Sequence, residues 1–223
     1  MNSFNELKKE YKIKDENYYN GERSEIMQFV PGGLKTVLDV GCGTGNFAYN
    51  LKKMYNCEAW GIEPNDQVAQ IASQKLDKVI NNVFSADLPE LKGKEFDAII
   101  FNDVLEHLIN PDEVLGQCKL FLKKGGYIVA SIPNIFFFPV FFNTIILKQD
   151  WAYTNFGTLD KTHLRFFTRK SIVRMFEEQG YRVVKIEGIN PETPRRYRIL
   201  NTLLFNRLKD WKYLQFGVQA KLK

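Results

Sequence analysis

The chain has 223 residues, of which 44% are hydrophobic, 14% aromatic and 26% charged, a balance that excludes a disordered or collagen-like polymer and is enough to bury a core without covalent staples. Lys+Arg 31 against Asp+Glu 26 leaves a formal charge of +5, too small an excess to mark a nucleic-acid binder. Three cysteines (Cys42, Cys57, Cys118) with no CxxC spacing exclude a disulfide framework and a zinc finger.

Residues 1–10 carry no apolar run of the kind a secretory signal needs, so a cytoplasmic protein is expected. The polar, tyrosine-rich segment 1–30 (Tyr11, Tyr18, Tyr19) reads as short helices packed onto the domain. From Thr36 the rhythm changes. Residues 36–40 form a short apolar run ending in glycines, as a buried strand does. Phe47, Ala48, Leu51 and Met54 then recur at helical spacing over 46–55. Residues 58–62 read as a second strand. Asn65 caps a helix with Val68, Ala69, Ala72 and Leu76 on one face, and 79–85 reads as a third strand.

A fourth strand, 96–101, is almost continuously apolar and is expected to be covered on both faces. Pro111 opens a helix carrying Val114, Leu115, Cys118, Phe121 and Leu122, stopped by Gly125-Gly126. A fifth strand follows at 127–131. The stretch 132–167 is too long for an ordinary loop, since structureless loops above about 15 residues are uncommon; it is expected to cap the carboxyl ends of the strands. Thr168 caps a helix with Ile172, Met175 and Phe176 that ends at Gly180, and strands follow at 181–186 and 213–222 with no clear helix between them. The alternation predicts a doubly wound α/β fold in one domain over 1–223. Its mostly parallel seven-stranded sheet has helices on both faces and its last strand antiparallel.

The sharpest chemical signal is Val37-Leu-Asp-Val-Gly41-Cys-Gly43-Thr-Gly45, glycines placed directly after a strand and before a helix. Bare backbone there lets a nucleoside lie close, and Glu63, 22 residues after Gly41 at the end of the second strand, can accept ribose hydroxyls. The spacing is not the GxGxxG of dinucleotide enzymes, which disfavours a dehydrogenase. The chain resembles the class I S-adenosylmethionine-dependent methyltransferases. Asp39-Val-Gly-Cys-Gly-Thr-Gly45 is similar to their first motif, Gly61-Ile-Glu63-Pro-Asn to the second, Asn102-Asp-Val-Leu-Glu-His-Leu108 to the segment after the fourth strand, and Gly125-Gly126-Tyr127 to the turn before the fifth. The resemblance implies S-adenosylmethionine as cofactor, S-adenosylhomocysteine as product, and a cofactor-binding set of Asp39, Gly41, Cys42, Gly43, Gly45, Glu63, Pro64, Asp87, Leu88 and Asn102. In that set Glu63 would hold the ribose and Asp87 the adenine. Tyr18, Tyr19 and Arg23 fall where relatives close a lid over the cofactor; the alternative is that the tyrosines simply lie on the surface.

Methyl transfer to a hydroxyl needs alignment, exclusion of water and loss of a proton. His107, at the rim after the fourth strand, is a candidate base because imidazole titrates near neutrality; Glu106 and His163 complete the candidate catalytic set. The alternative is that His107 packs the loop before Pro111. Asp103, Glu106, His107 and His163 together also resemble the metal-binding E-x-x-E-H and later histidine of the small-RNA 3′-end 2′-O-methyltransferases, and more loosely the ubiquinone-pathway O-methyltransferases. Asp103 replaces the first glutamate and shortens the reach, so the expectation is no metal, with these residues lining the acceptor pocket. The aromatic insert (Phe136, Phe137, Phe138, Phe141, Phe142, Trp151, Tyr153) is open to three readings: a lid, a homodimer interface or a contact with a membrane surface. The basic residues Arg195, Arg196, Arg198, Arg207, Lys209 and Lys212 would meet phosphates or simply face solvent. The expected activity is methyl transfer to a small-molecule, sugar or lipid-linked glycan acceptor, at oxygen, with no nucleic-acid partner. Metal-assisted 2′-O-methylation of an RNA end, or a non-catalytic cofactor-binding partner protein, are the alternatives.

Overall fold

The computed structural model describes residues 19–223, so Tyr11 and Tyr18 lie outside the described residues. Seven strands form one sheet: β1 (Thr36–Val40), β2 (Glu58–Ile62), β3 (Lys78–Ile80), β4 (Phe96–Asn102), β5 (Leu122–Pro133), β6 (Tyr181–Pro191) and β7 (Tyr213–Leu222). Their order is β3-β2-β1-β4-β5-β7-β6. β1 to β5 run parallel, while β7 is antiparallel to both of its neighbours, as expected for the last strand.

The helices between strands are α1 (Asn46–Tyr55), α2 (Asp66–Ser73), α3 (Pro111–Cys118), α4 (Arg169–Glu178) and α5 (Arg195–Leu203). Asn65 caps α2 by accepting from the N–H groups of Gln67 and Val68, and Thr168 caps α4 in a reciprocal box with Ser171, each relieving donors that a helix start leaves unmatched. Side chains of the central strands alternate between two cores. Val37, Ala98 and Ile100 pack with Phe47, Ala48 and Leu51 of α1 on one face. Leu38, Ile99 and Phe101 pack with Leu115 of α3 and Ile172 and Phe176 of α4 on the other. Both faces of β4 are therefore covered, which is why its sequence is apolar without alternation.

The sequence reading needs correction in five places. α2 ends at Ser73, so Leu76 packs from beyond the helix. β3 stops at Ile80 rather than running to residue 85. α3 ends at Cys118, so Phe121 and Leu122 are not helical; Leu122 opens β5, and Gly125-Gly126 lie inside that strand. There the pairing with β4 jumps from Phe96↔Leu122 to Ala98↔Tyr127, and Gly125, at φ +73°, takes the left-handed bend that such a bulge needs. β6 continues to Pro191, and a helix, α5, does join the last two strands. Within the insert the chain forms a short turn, Phe138–Val140, that widens into a π-helix, Phe141–Leu147. No helix of the described residues is long and apolar enough to cross a membrane.

Before β1, a 3-10 turn over Ser24–Phe29 buries Ile26 and Phe29. Phe29 lies where Gly217 of β7 has no side chain: a Cβ there would stand 2.2 Å from the ring. Adding that methyl overpacks the contact at a cost of about 1–3 kcal/mol. Gly217→Ala should therefore lower the unfolding free energy measured in urea by about that much, and the loss should shrink in a Phe29→Ala background. Equal losses in both backgrounds would mean the two positions do not touch.

Candidate active site

A cleft of about 990 Å³ opens across the carboxyl ends of β1, β2 and β4, where open parallel sheets bind ligands. One wall is the turn after β1. The N–H groups of Gly41 and Cys42 both donate to the carbonyl of Ile62, at 2.8 and 3.1 Å. Gly43 N–H donates to Glu63 Oε2 at 3.0 Å, and Asn65 N–H to Glu63 Oε1 at 2.9 Å. Gly41 and Gly43 have φ of +71° and +55°, and a Cβ on them would lie 2.6 Å from Val104 and 2.7 Å from the carbonyl oxygen of Tyr19. These positions exclude side chains on both conformational and steric grounds. Tyr19 O also accepts from Thr44 N–H and from Thr44 Oγ1, so the segment before the 3-10 turn is tied across the glycine turn. Tyr19, Gly21 and Arg23 line the cleft.

Three carboxylates face this space with little water around them. Asp39 is 1% exposed and its Oδ1 has no hydrogen-bond partner among the described residues; burial, then the neighbouring Glu63, pushes its pKa up to about 8. Burial likewise lifts Glu63 to about 7, against the pull of the Asn65 and Gly43 N–H groups. Glu106 is 1% exposed with neither oxygen hydrogen-bonded, and burial followed by the charge of Asp103 raises it well above the usual carboxylate range. Asn102 adds a buried amide with both polar atoms unmatched.

Glu106 and His107 stand on a single turn, Leu105–His107, after β4. The 158–165 loop is fastened to that turn, with Leu164 and Arg165 N–H both donating to the Glu106 carbonyl at 2.8 and 3.0 Å. His107 Nδ1 lies 3.1 Å from Thr162 O, and His163 Nδ1 3.1 Å from Thr158 O. A carbonyl accepts only from a protonated ring nitrogen, so in the neutral rings each Nε2 carries the lone pair. The rings meet edge-on with centroids 4.7 Å apart, and His163 Nε2 is 3.8 Å from Glu106 Oε1. The ligand atoms of Glu106, His107 and His163 all lie within 4.8 Å of one another. Burial, then the charge of His163, lowers His107 to about 4.

The structure thus gathers Asp39, Gly41, Cys42, Gly43, Glu63, Pro64, Asn102, Asp103, Glu106, His107 and His163 around one cleft. Three expected residues are elsewhere. Gly45 caps α1, Leu88 joins the core, and Asp87 is exposed and outside the cleft lining, where Phe84 and Ser85 stand instead. Asp103 is also not part of the Glu106 cluster. Its carboxylate is committed to Ser131 Oγ at 2.7 Å, to Gln215 Nε2 at 2.8 Å and to the Arg23 guanidinium. Ser131 and Gln215 escaped the sequence reading because they lie 28 and 112 residues from Asp103 on strands with no local motif.

The methyltransferase-domain family model matches residues 15–186. The chain belongs to that family. S-adenosylmethionine is its cofactor and the protein is an S-adenosylmethionine-dependent methyltransferase. It is 30% identical over 188 residues to an uncharacterised protein of Methanocaldococcus jannaschii, covering 83% of each chain. A ubiquinone biosynthesis O-methyltransferase of Shewanella halifaxensis is 30% identical over 123 residues, and the match spans about half of each protein, 52% of this chain and 51% of that one. Among solved structures, a SAM-dependent methyltransferase from Archaeoglobus fulgidus superposes with a TM-score of 0.68 at 22% identity, over 95% of this chain and 99% of that one. It shares the fold.

The raised pKa of Asp39 makes the ligand-free methyltransferase sensitive to pH. The unfolded chain ionises Asp39 in the ordinary carboxylate range, whereas the folded chain keeps the proton until about 8. Between those limits the folded state binds more protons, so stability falls as pH rises. Asp39→Asn removes this titration, and denaturation across that window should show a shallower loss than the parent chain; parallel pH profiles would refute the assignment.

Proposed function

We propose that the protein transfers the methyl group of S-adenosylmethionine to an oxygen of a small-molecule, sugar or lipid-linked acceptor bound between the glycine turn and the Glu106–His107–His163 cluster. The observation that carries this reading is the placement of buried oxygen and nitrogen ligands opposite the cofactor wall, within one cleft. The relatives named ubiquinone biosynthesis O-methyltransferases support the choice of oxygen.

The residues fit the cofactor. Bare backbone at Gly41 and Gly43 admits its close approach, and Asp39 and Glu63 are buried carboxylates awaiting positive charge. S-adenosylmethionine supplies a methyl on a sulfonium, activated for in-line displacement. In this reading Asp39 and the turn N–H groups orient the methionine end, Glu63 accepts from the ribose, and Asn102 offers its amide at the floor. The adenine contact passes from Asp87 to the Phe84–Ser85 edge. Arg23, pinned to Asp103, closes the mouth and keeps water out.

The acceptor side decides between two roles for His107. A general base works best with a pKa near the operating pH, and about 4 is far below it. A metal ligand, by contrast, must be a neutral imidazole whose other nitrogen is held by a carbonyl or carboxylate, which is what Thr162 and Thr158 provide. The buried Glu106 carboxylate, without a hydrogen bond, supplies the matching negative charge. We therefore favour a divalent cation at Glu106, His107 and His163, with Asp103 as a positioning residue; a cation there would lower the pKa of an acceptor hydroxyl, whose proton would leave to solvent before the oxygen takes the methyl and S-adenosylhomocysteine departs.

Cofactor binding and metal binding are tested separately. The protein as purified should carry S-adenosylmethionine or S-adenosylhomocysteine detectable by mass spectrometry, and Gly43→Leu should abolish binding of the added cofactor. Calorimetric titration with Mn²⁺ or Zn²⁺ should show one site lost in Glu106→Gln and His163→Ala, with labelled-methyl transfer across an acceptor panel falling on chelation. Metal binding unaffected by either substitution removes the cation from the account, and transfer confined to an RNA 3′ end would replace the acceptor class.

A further inference from the structure

The insert phenylalanines, one candidate for a lipid-contacting surface, largely turn inward. Phe137 and Phe138 are buried, Phe136 stacks on Trp211 with centroids 5.1 Å apart, and Phe138 stacks on Phe142 at 4.8 Å. Ile146, Leu147, Trp151, Tyr153 and Phe156 stay exposed farther along the insert, and a separate exposed apolar group lies on α5 and the turn after it. Tyr197 is the buried residue of α5, edge-on to Phe138 at 5.4 Å and donating to the Leu208 carbonyl at 3.2 Å. Away from it, Arg195, Ile199 and Leu203 repeat every four residues along one exposed stripe. Ile199 is 53% exposed, Leu203 68% and Phe205 89%. Phe205 and Asn206 have φ of +52° and +61°, a strained conformation for a bulky residue, and the Phe205 ring stands in solvent.

Cations flank this tip along the chain. Arg195, Arg196 and Arg198 lie on α5, and Arg207, Lys209 and Lys212 follow it. The acid inside that stretch, Asp210, is paired with Arg169 at 2.9 Å. We infer that the α5 tip docks on a bilayer surface bearing anionic phospholipid, with Ile199, Leu203, Leu204 and Phe205 entering the headgroup boundary and the basic residues meeting lipid phosphates. A second copy of the chain is a poorer occupant, since a two-fold interface would set these cations against their own image. A soluble polyanion would satisfy the charges and leave the apolar stripe in water.

The connection that carries α5 is anchored at the active cleft. The α5 segment leaves β6 beside Asn190 and returns at Leu214 and Gln215, all three of which line the cleft. Docking would bring its mouth to the membrane, where a lipid-linked acceptor resides. Only on that last point does the inference rest on the proposed function.

The test is co-sedimentation of the full chain with phosphatidylcholine vesicles, with and without phosphatidylglycerol. Binding should require phosphatidylglycerol and weaken with added salt. It should fall ~10-fold or more in Leu203→Glu/Phe205→Glu, and fall also in Arg195→Gln/Arg196→Gln. Both variants should keep the parent affinity for S-adenosylmethionine, which checks their folding. No capture by anionic vesicles would overturn the inference. So would unchanged capture of the Leu203→Glu/Phe205→Glu variant, or a change from dimer to monomer in that variant with vesicle binding intact. Vesicle binding without methyl transfer to any lipid-linked acceptor would remove the lipid-linked member of the proposed acceptor class and leave docking standing.

Discussion

Desolvated negative charge governs this molecule. Asp39, Glu63 and Glu106 are held at the ends of adjacent strands, and none is ion-paired with a lysine or arginine among the described residues. Burial disfavours the ionised form of each, so all three keep their protons to higher pH than an exposed carboxylate does. A ligand bearing positive charge reverses that balance. The cofactor of this family is a cation, and the cleft is therefore tuned to its charge as well as to its shape. The same logic extends to the Glu106 cluster, where two imidazoles present nitrogen lone pairs beside an unmatched carboxylate.

The two halves of the cleft are built by different means. The cofactor wall is local: one turn and one carboxylate 20 residues apart in the chain, tied by the Gly43 N–H to Glu63 bond. The wall proposed for the acceptor is assembled from distant segments. His163 reaches His107 because the 158–165 loop bonds twice to the Glu106 carbonyl. Asp103 is fixed by Ser131 of β5, Gln215 of β7 and Arg23. That triple commitment explains why the carboxylate nearest in sequence to Glu106 does not join its cluster. An enzyme of this design can keep the first wall constant and change acceptors through the second.

Sequence reasoning succeeded where local pattern carries the physics. β1, β2, α1 and β7 ran over the expected residues because burial period and end signals coincide there. It failed where tertiary context overrides pattern. Phe121 and Leu122 continue a helical apolar face, yet Leu122 pairs with Phe96 and the glycines serve a bulge rather than a helix stop. α5 was missed because its stripe mixes arginines with isoleucine and leucine and has one buried anchor, Tyr197. At the site, the glycine turn and Glu63 were legible from spacing. The exposure of Asp87 and the roles of Ser131 and Gln215 depend on how loops and strands settle, which no short motif encodes.

One feature of the sheet has a bearing on biogenesis. β7 is the final ribbon in chain order, yet it is slotted between β5 and β6 and hydrogen-bonded along both sides. Until it arrives, β5 and β6 present open ladders of unpaired amides, a template for adhesion to other chains. A nascent or clipped polypeptide ending before Tyr213 would lack both this wedge and Gln215, leaving Asp103 without one of its anchors. Proteolysis just before Tyr213 would thus degrade solubility and the cleft in a single cut.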